Sequence, residues 1–332
     1  MVALGLFFTL LSGIANGLFS APMKIIPRWK WENIWMVFSL TALVTIPTAL
    51  VLLTVPRVHE VYAASPAAAV AAAFWFGFAW GFGAIFFGLT VQRLGVSLAN
   101  SLVIGLSSAL GSLVPLFLSG ALRLEARQLV LFLGVATFLV GVAVCGAAGR
   151  LRDAAAPASG ASLGGYLFAI AAGVLSAVFN IGYSLALPIA DAGTRLGYPQ
   201  FLATNCIWLL MLLGGSIPNI LYCGYLLVKQ KSAKLFFGPQ VPKTWGLGVL
   251  MGLLWTTGIF LYGAATPLLG DIGPSIGWPL SLAVALMVAN LMGVLLGEWR
   301  QAGRAASRRM RAGILMLLAA ILCCALSTQL GR

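Results

Sequence analysis

Residues 77–95 read GFAWGFGAIFFGLTVQRLG, and residues 252–270 read GLLWTTGIFLYGAATPLLG. A shift of 175 residues lays Gly77 on Gly252, Trp80 on Trp255, Gly83 on Gly258, Gly88 on Gly263, Leu94 on Leu269 and Gly95 on Gly270, all in one register. Upstream, a shift of 160 lays Gly13 on Gly173, Ile14 on Val174, Phe19 on Phe179 and Ser20 on Asn180. The chain thus reads as an internal duplication whose second copy has gained about 15 residues between the two blocks.

The surrounding sequence says where such a duplication lives. Charged residues make up 8% of the 332 positions, against roughly a quarter in soluble domains, and 61% are hydrophobic. The charges gather into clusters separated by charge-free runs of 20 residues or more. A bilayer core takes about 20 apolar residues of helix, and a charge at mid-depth costs ~3 kcal/mol or more. The runs predict ten spans, near 2–22, 33–55, 67–92, 96–120, 128–149, 164–187, 201–228, 244–267, 272–296 and 312–330. The first span lacks the charged start of a signal peptide and is repeated later, so it is counted as structure. Ten spans divide into five-helix repeats at 1–153 and 154–332. Because five is odd, the copies must cross the bilayer in opposite directions, an all-α inverted-repeat architecture shared by many secondary transporters.

Fifteen of the 20 Lys and Arg residues fall in loops after odd-numbered spans. The positive-inside rule puts those loops in the cytoplasm and both termini in the periplasm. A basic cytoplasmic face on anionic lipid accounts for the net charge of +13 without a nucleic-acid partner. Cys145, Cys206, Cys223, Cys323 and Cys324 all lie within spans, so neither a disulfide framework nor a metal site is expected. Enzyme constellations, phosphate-binding loops and cofactor motifs are missing, which points away from an enzyme and from ATP as the energy source.

A solute crossing such a protein must meet hydrogen-bonding groups inside it. Asn16 and Ser20 lie one helical turn apart, as do Ser176 and Asn180 at the matching positions of the sixth span. Such groups often only bridge helices in membranes, but their recurrence in both halves makes them candidate ligands. Trp80 and Trp255 match across the repeat at mid-span, away from the interfacial belt, and suit the apolar face of a ring-shaped solute. The ninth span opens with Gly273, Pro274, Ser275, Gly277, Trp278 and Pro279, which predicts a broken helix with exposed backbone groups. Ser275 pairs by the repeat with Asn100, and Tyr262 pairs with Phe87. The expected binding set is Asn16, Ser20, Trp80, Asn100, Asn180, Trp255, Tyr262, Ser275, Trp278 and Asn290. With no acid at mid-span, the proton-coupling candidates are Asp271, at the mouth of the ninth span, and Lys24, at the end of the first. Each has a plain structural reading, as a helix-start carboxylate and as a snorkelling cation. An interior without fixed charge favours a neutral solute.

Ala21-Pro22-Met23-Lys24, Trp29-Lys30-Trp31-Glu32 through to Trp35, Trp80-Gly81-Phe82-Gly83, Gly88-Leu89-Thr90, Arg93-Leu94-Gly95 and Glu298-Trp299 with Ala302-Gly303 carry a further signal. They resemble the L-rhamnose/proton symporter family, over nearly the whole chain. That family is a branch of the drug/metabolite transporter superfamily, whose fold is ten helices in two inverted repeats. The resemblance implies proton-coupled uptake of a monosaccharide such as L-rhamnose across a bacterial inner membrane. It also implies a cavity among spans one, three, four, six, eight and nine. Departing from the family, the segment Pro274 to Trp278 has Asp271 as its nearest acid. The alternatives are a metabolite or drug exporter of the same superfamily, and a passive channel or scramblase.

Overall fold

The computed structural model describes residues 1–94, 96–118, 120, 125–153, 163–237, 241–297, 299–300 and 302–330, with the side chains of 24, 91, 92, 96–98, 100, 153 and 241 excepted. Within that set the chain is all-helical. The membrane-length elements are α1 (Val2–Leu18), α2 (Trp31–Thr54), α3 (Ala67–Leu94), α4 (Val96–Leu118), α5 (Ala126–Asp153), α6 (Leu163–Leu185), α7 (Gln200–Lys229), α8 (Val241–Ala265), α9 (Gly273–Leu295) and α10 (Arg304–Gln329). Nine of them, α2 to α10, are long and apolar enough to cross a membrane, and α1 is a shorter apolar helix. Short helices at Val58–Ala63 and Leu187–Arg195 cap one end of the bundle. The other end carries the α1–α2 loop, with a 3-10 turn at Pro22–Ile25, and the α7–α8 loop, with another at Ala233–Phe236.

The helix ends follow local chemistry. Pro22 stops α1 well short of residue 22 and sits at the first position of the 3-10 turn, where its missing N–H costs nothing. Trp31 and Glu32 belong to the first turn of α2, two residues earlier than the charge-free run suggested. At the far end of the chain, α10 begins at Arg304, so its exposed arginines project from helix where a loop was expected. Inside α2, residues Leu40–Thr45 form a π-helical segment. Such a widening disturbs the backbone ladder, and the hydroxyl of Thr256 donates to the Ala42 carbonyl at 3.1 Å.

One expectation fails. The start of α9 is a continuous helix from Gly273. Pro274 occupies the first turn, where no N–H partner is needed, and Pro279 lies inside a helix that continues past it.

Packing relies on close backbone approach. A Cβ on Gly81 would lie 2.5 Å from the Gly215 carbonyl, and one on Gly77 would strike the backbone of Met211, so α3 and α7 touch along a glycine seam. Gly13 and Gly17 bring α1 against Ser281, Val284 and Val288 of α9. Gly173 brings α6 against Leu106 of α4. The principal neighbours are α1 with α8 and α9, α6 with α3 and α4, α3 with α7, α8 with α2, α4 with α5, α9 with α10, and the pairs α5–α10, α2–α7 and α4–α9. The largest buried cluster joins α2, α3, α6, α7 and α8 around Phe179, Trp208 and Trp255.

Candidate functional site

Between these helices lies a cavity of about 900 Å³. Its wall starts at mid-bundle, at Ser12, Ser107, Tyr262 and Trp278, and runs to Met23, Glu32 and Gln230 at the end that carries the α1–α2 and α7–α8 loops. Gln230 is exposed, so the lining reaches the surface at that end.

Helix α1 and the turn after it supply polar side chains at four-residue spacing, Ser12 and Asn16 on the helix and Ser20 in the turn, all lining the cavity. The deepest member, Ser12, shares a 3.0 Å hydrogen bond with Ser281 of α9, tying the two helices where Gly13 lets them meet. Opposite stand the indoles. Trp80 and Trp255 stack on each other with centroids 5.5 Å apart and planes 16° from parallel, so residues matched by the repeat meet face to face inside the bundle. Trp278, held by donation from its Nε1 to the Ser107 carbonyl at 3.2 Å, closes the deep end with Tyr262. Trp31 and Trp35 line the shallow end and stack on each other 5.3 Å apart. Trp35 donates to Asn219, whose amide donates in turn to the Gly81 and Gly215 carbonyls, so one asparagine joins α2, α3 and α7.

Beyond Trp278 and Tyr262 the bundle is sealed. Asn180 is fully buried and its amide donates to the Gly111 carbonyl at 2.7 Å and the Pro274 carbonyl at 3.1 Å, while its oxygen accepts from the Tyr262 hydroxyl. The Gly111 contact has a local cause: Pro115 has no N–H to give to the carbonyl four residues before it, and Asn180 takes that place. Next to it, Tyr183 bonds Thr266 and the Gly263 carbonyl and stacks on Trp208 at 4.5 Å. Asn180, one residue of α6, thus holds α4, α8 and α9 together.

Of the ten expected ligands, Asn16, Ser20, Trp80, Trp255, Tyr262 and Trp278 line the cavity together. Asn180 sits behind Tyr262 in the seal, and Ser275 is buried close by in the first turn of α9; neither is part of the lining. Asn290 is half-buried and also outside it. The side chain of Asn100 lies outside the described residues, as does that of Lys24. Asp271 is exposed in the α8–α9 connection, at the end away from the cavity mouth. The charge-free-run reading missed Ser12, Ser107, Ser281, Trp35 and Glu32. Ser12 was legible as the next step of the Asn16–Ser20 stripe. Glu32 was not, because it opens the run that defines the second span.

Hydroxyl, amide and indole groups set among aromatic faces suit a neutral solute that has both hydrogen-bonding edges and apolar faces, and the volume is within the roughly 300–1,000 Å³ usual for small-molecule sites. Among the described residues, Glu32 is the one charged side chain in the wall.

Comparison with known proteins agrees with a transport cavity. The chain is 27% identical over 315 residues to an L-rhamnose-proton symporter of Escherichia coli O1:K1, covering 91% of each chain. It is 28% identical over 318 residues to one of Klebsiella pneumoniae strain 342, again covering 91% of each. A symporter of Shigella boydii serotype 18 matches at 27% over 315 residues. The model of the L-rhamnose-proton symport protein family matches residues 1–328, and this chain belongs to that family of transporters.

Proposed function

We propose that the protein is a proton-coupled symporter that carries a neutral monosaccharide, L-rhamnose or a close relative, across the bacterial inner membrane. The observation that carries this reading is a 900 Å³ cavity lined by Asn16, Ser20 and five indoles, in a chain matched by the symporter family along nearly its full length. The sugar hydroxyls would bond Asn16, Ser20 and Ser12, and an apolar ring face would lie against Trp80, Trp255 or Trp278.

The proposed mechanism is alternating access by ten spans in two inverted five-helix repeats, 1–153 and 154–332. Exchanging α1–α5 with α6–α10 leaves the principal packing pairs unchanged: α1 with α8 and α9 becomes α6 with α3 and α4, and α3 with α7 becomes α8 with α2. At residue level, Gly13 meets Ser281 while its mate Gly173 meets Leu106, and those two partners are themselves 175 apart. With the odd loops cytoplasmic and both termini periplasmic, the cavity faces the cytoplasm and the Asn180 seal closes the periplasmic side.

The aromatic wall also favours a second reading, export of an amphipathic metabolite. Purified protein in liposomes separates the two. Symport requires labelled L-rhamnose to accumulate with an inward proton gradient and to exchange in counterflow against unlabelled sugar. Absence of both would reject the sugar, and proton-driven loss of an amphipathic solute from the lumen of the same vesicles would favour export.

A further inference from the structure

The seven acids of the chain include five with described side chains: Glu32, Glu60, Glu125, Asp191 and Asp271. Four of these are exposed or half-exposed at the bundle ends, and Glu60 is engaged there by Arg57 at 3.2 Å. Glu32 differs: it is 2% exposed, lies in the first turn of α2, and forms part of the cavity wall. Resting on the reading of the protein as a proton-coupled carrier, we infer that Glu32 is the group that takes up and releases the coupled proton.

The geometry around it ties protonation to the cavity mouth. The Ser232 hydroxyl donates to Glu32 Oε1 at 2.6 Å. Ser232 lies in the α7–α8 loop, so this bond crosses from one half of the chain to the other. Three neighbours cross the same seam: Asn33 to the Ser232 carbonyl at 3.0 Å, Trp29 to the Leu235 carbonyl at 2.8 Å, and Lys30 to Gln230 at 3.1 Å. Among the described side chains of that seam, Glu32 is the one that both ionises and lines the cavity. A carboxylate only accepts hydrogen bonds, whereas a carboxylic acid also donates one, so gain of a proton rewrites the partner requirements at Ser232 and at any sugar hydroxyl in reach. It also removes a charge from a site with little access to water, lowering the cost of closing the mouth over it.

Among the described side chains, the other titratable groups near Glu32 are few. From α7 come Tyr222, in the same wall, and Cys223, buried one residue on. Lys229, Lys231 and Lys234 are exposed at the end of α7 and in the loop after it, and Lys30 of its own loop points to Gln230. The proton step is a plain acid–base exchange: the carboxylate takes a proton from water on one side and returns it to water on the other, with no further reactant.

The test uses the full chain in liposomes, with L-rhamnose as the probe. Glu32→Gln keeps the shape and cannot hold the proton. Accumulation driven by the proton gradient should fall at least about ten-fold, and the uptake that remains should be the same with and without the gradient. Ser232→Ala keeps the carboxylate and removes its donor, and the pH of half-maximal uptake should shift. Gradient-driven accumulation by Glu32→Gln at the wild-type level, with an unchanged pH profile, would overturn the assignment. So would an unshifted profile in Ser232→Ala if Glu32→Gln does not fold. A wild-type protein with neither accumulation nor counterflow would overturn instead the reading on which the inference rests.

Discussion

Ser20, in the turn that ends α1, and Asn180, on α6, stand at positions 160 residues apart in matching blocks of the chain, yet they live differently. Ser20 is half-buried in the wall of an open cavity, and Asn180 is fully buried and bonded to three other helices. The helices that present them pack alike, α1 against α8 and α9 and α6 against α3 and α4. A few polar contacts, not a different scaffold, therefore separate an open end from a sealed one. Each net hydrogen bond is worth roughly 0.5–1.5 kcal/mol, so the seal around Asn180 amounts to a few kcal/mol, a difference that a solute and a proton gradient can reverse.

The sharpest way to break the comparison is at the glycine seams that both halves need. Gly77→Val drives a side chain into the Met211 backbone, whereas its mate Gly252→Val crowds the Thr41 side chain, whose Cβ would lie 2.7 Å away and must shift by less than the Met211 backbone. Thermal unfolding in detergent should show a loss of ~3 kcal/mol or more for Gly77→Val and a clearly smaller loss for Gly252→Val. Next comes the seal. Asn180→Ala orphans the Gly111 carbonyl and removes a Tyr262 partner, and should cost ~1–3 kcal/mol in the same assay, while Ser20→Ala leaves stability within about 0.5 kcal/mol. Among the cavity indoles, Trp255→Phe shrinks the face stacked on Trp80 while keeping an aromatic ring in the buried cluster, and should raise the KM for sugar about three- to ten-fold. Smallest is Asp271→Asn. Exposed and outside the cavity wall, this residue should leave uptake and its pH profile within about two-fold of wild type.

The helices were legible because charge is excluded from the bilayer core, and among the described residues the ten charge-free runs coincide with nine long apolar helices and one shorter one. Trp80 and Trp255 were legible as a pair because large aromatics recur in one register. The rest depends on depth and on which helices touch. No spacing announces that Pro115 leaves the Gly111 carbonyl for Asn180, since the two bonded residues are 69 apart and the match is made by helix packing. Proline and glycine at the start of α9 signalled a break, yet the helix tolerates both: Pro274 falls in its first turn and Pro279 within an otherwise regular stretch. Glu32 escaped notice for a similar reason. A charge at a span boundary reads as solvated until the α7–α8 loop is seen to cover it.

Exchange between the open and sealed ends is the central claim, and cysteine accessibility tests it most directly. Ser20→Cys marks the open end and Ser275→Cys, a near-isosteric change at a buried position, marks the sealed one. Reactivity of the unsubstituted protein is subtracted to account for its native cysteines. Without substrate, a small hydrophilic thiol reagent should modify Ser20→Cys and leave Ser275→Cys untouched. During proton-driven L-rhamnose uptake, Ser275→Cys should become reactive as Ser20→Cys loses reactivity. Continued uptake with Ser275→Cys unreactive throughout would contradict the account.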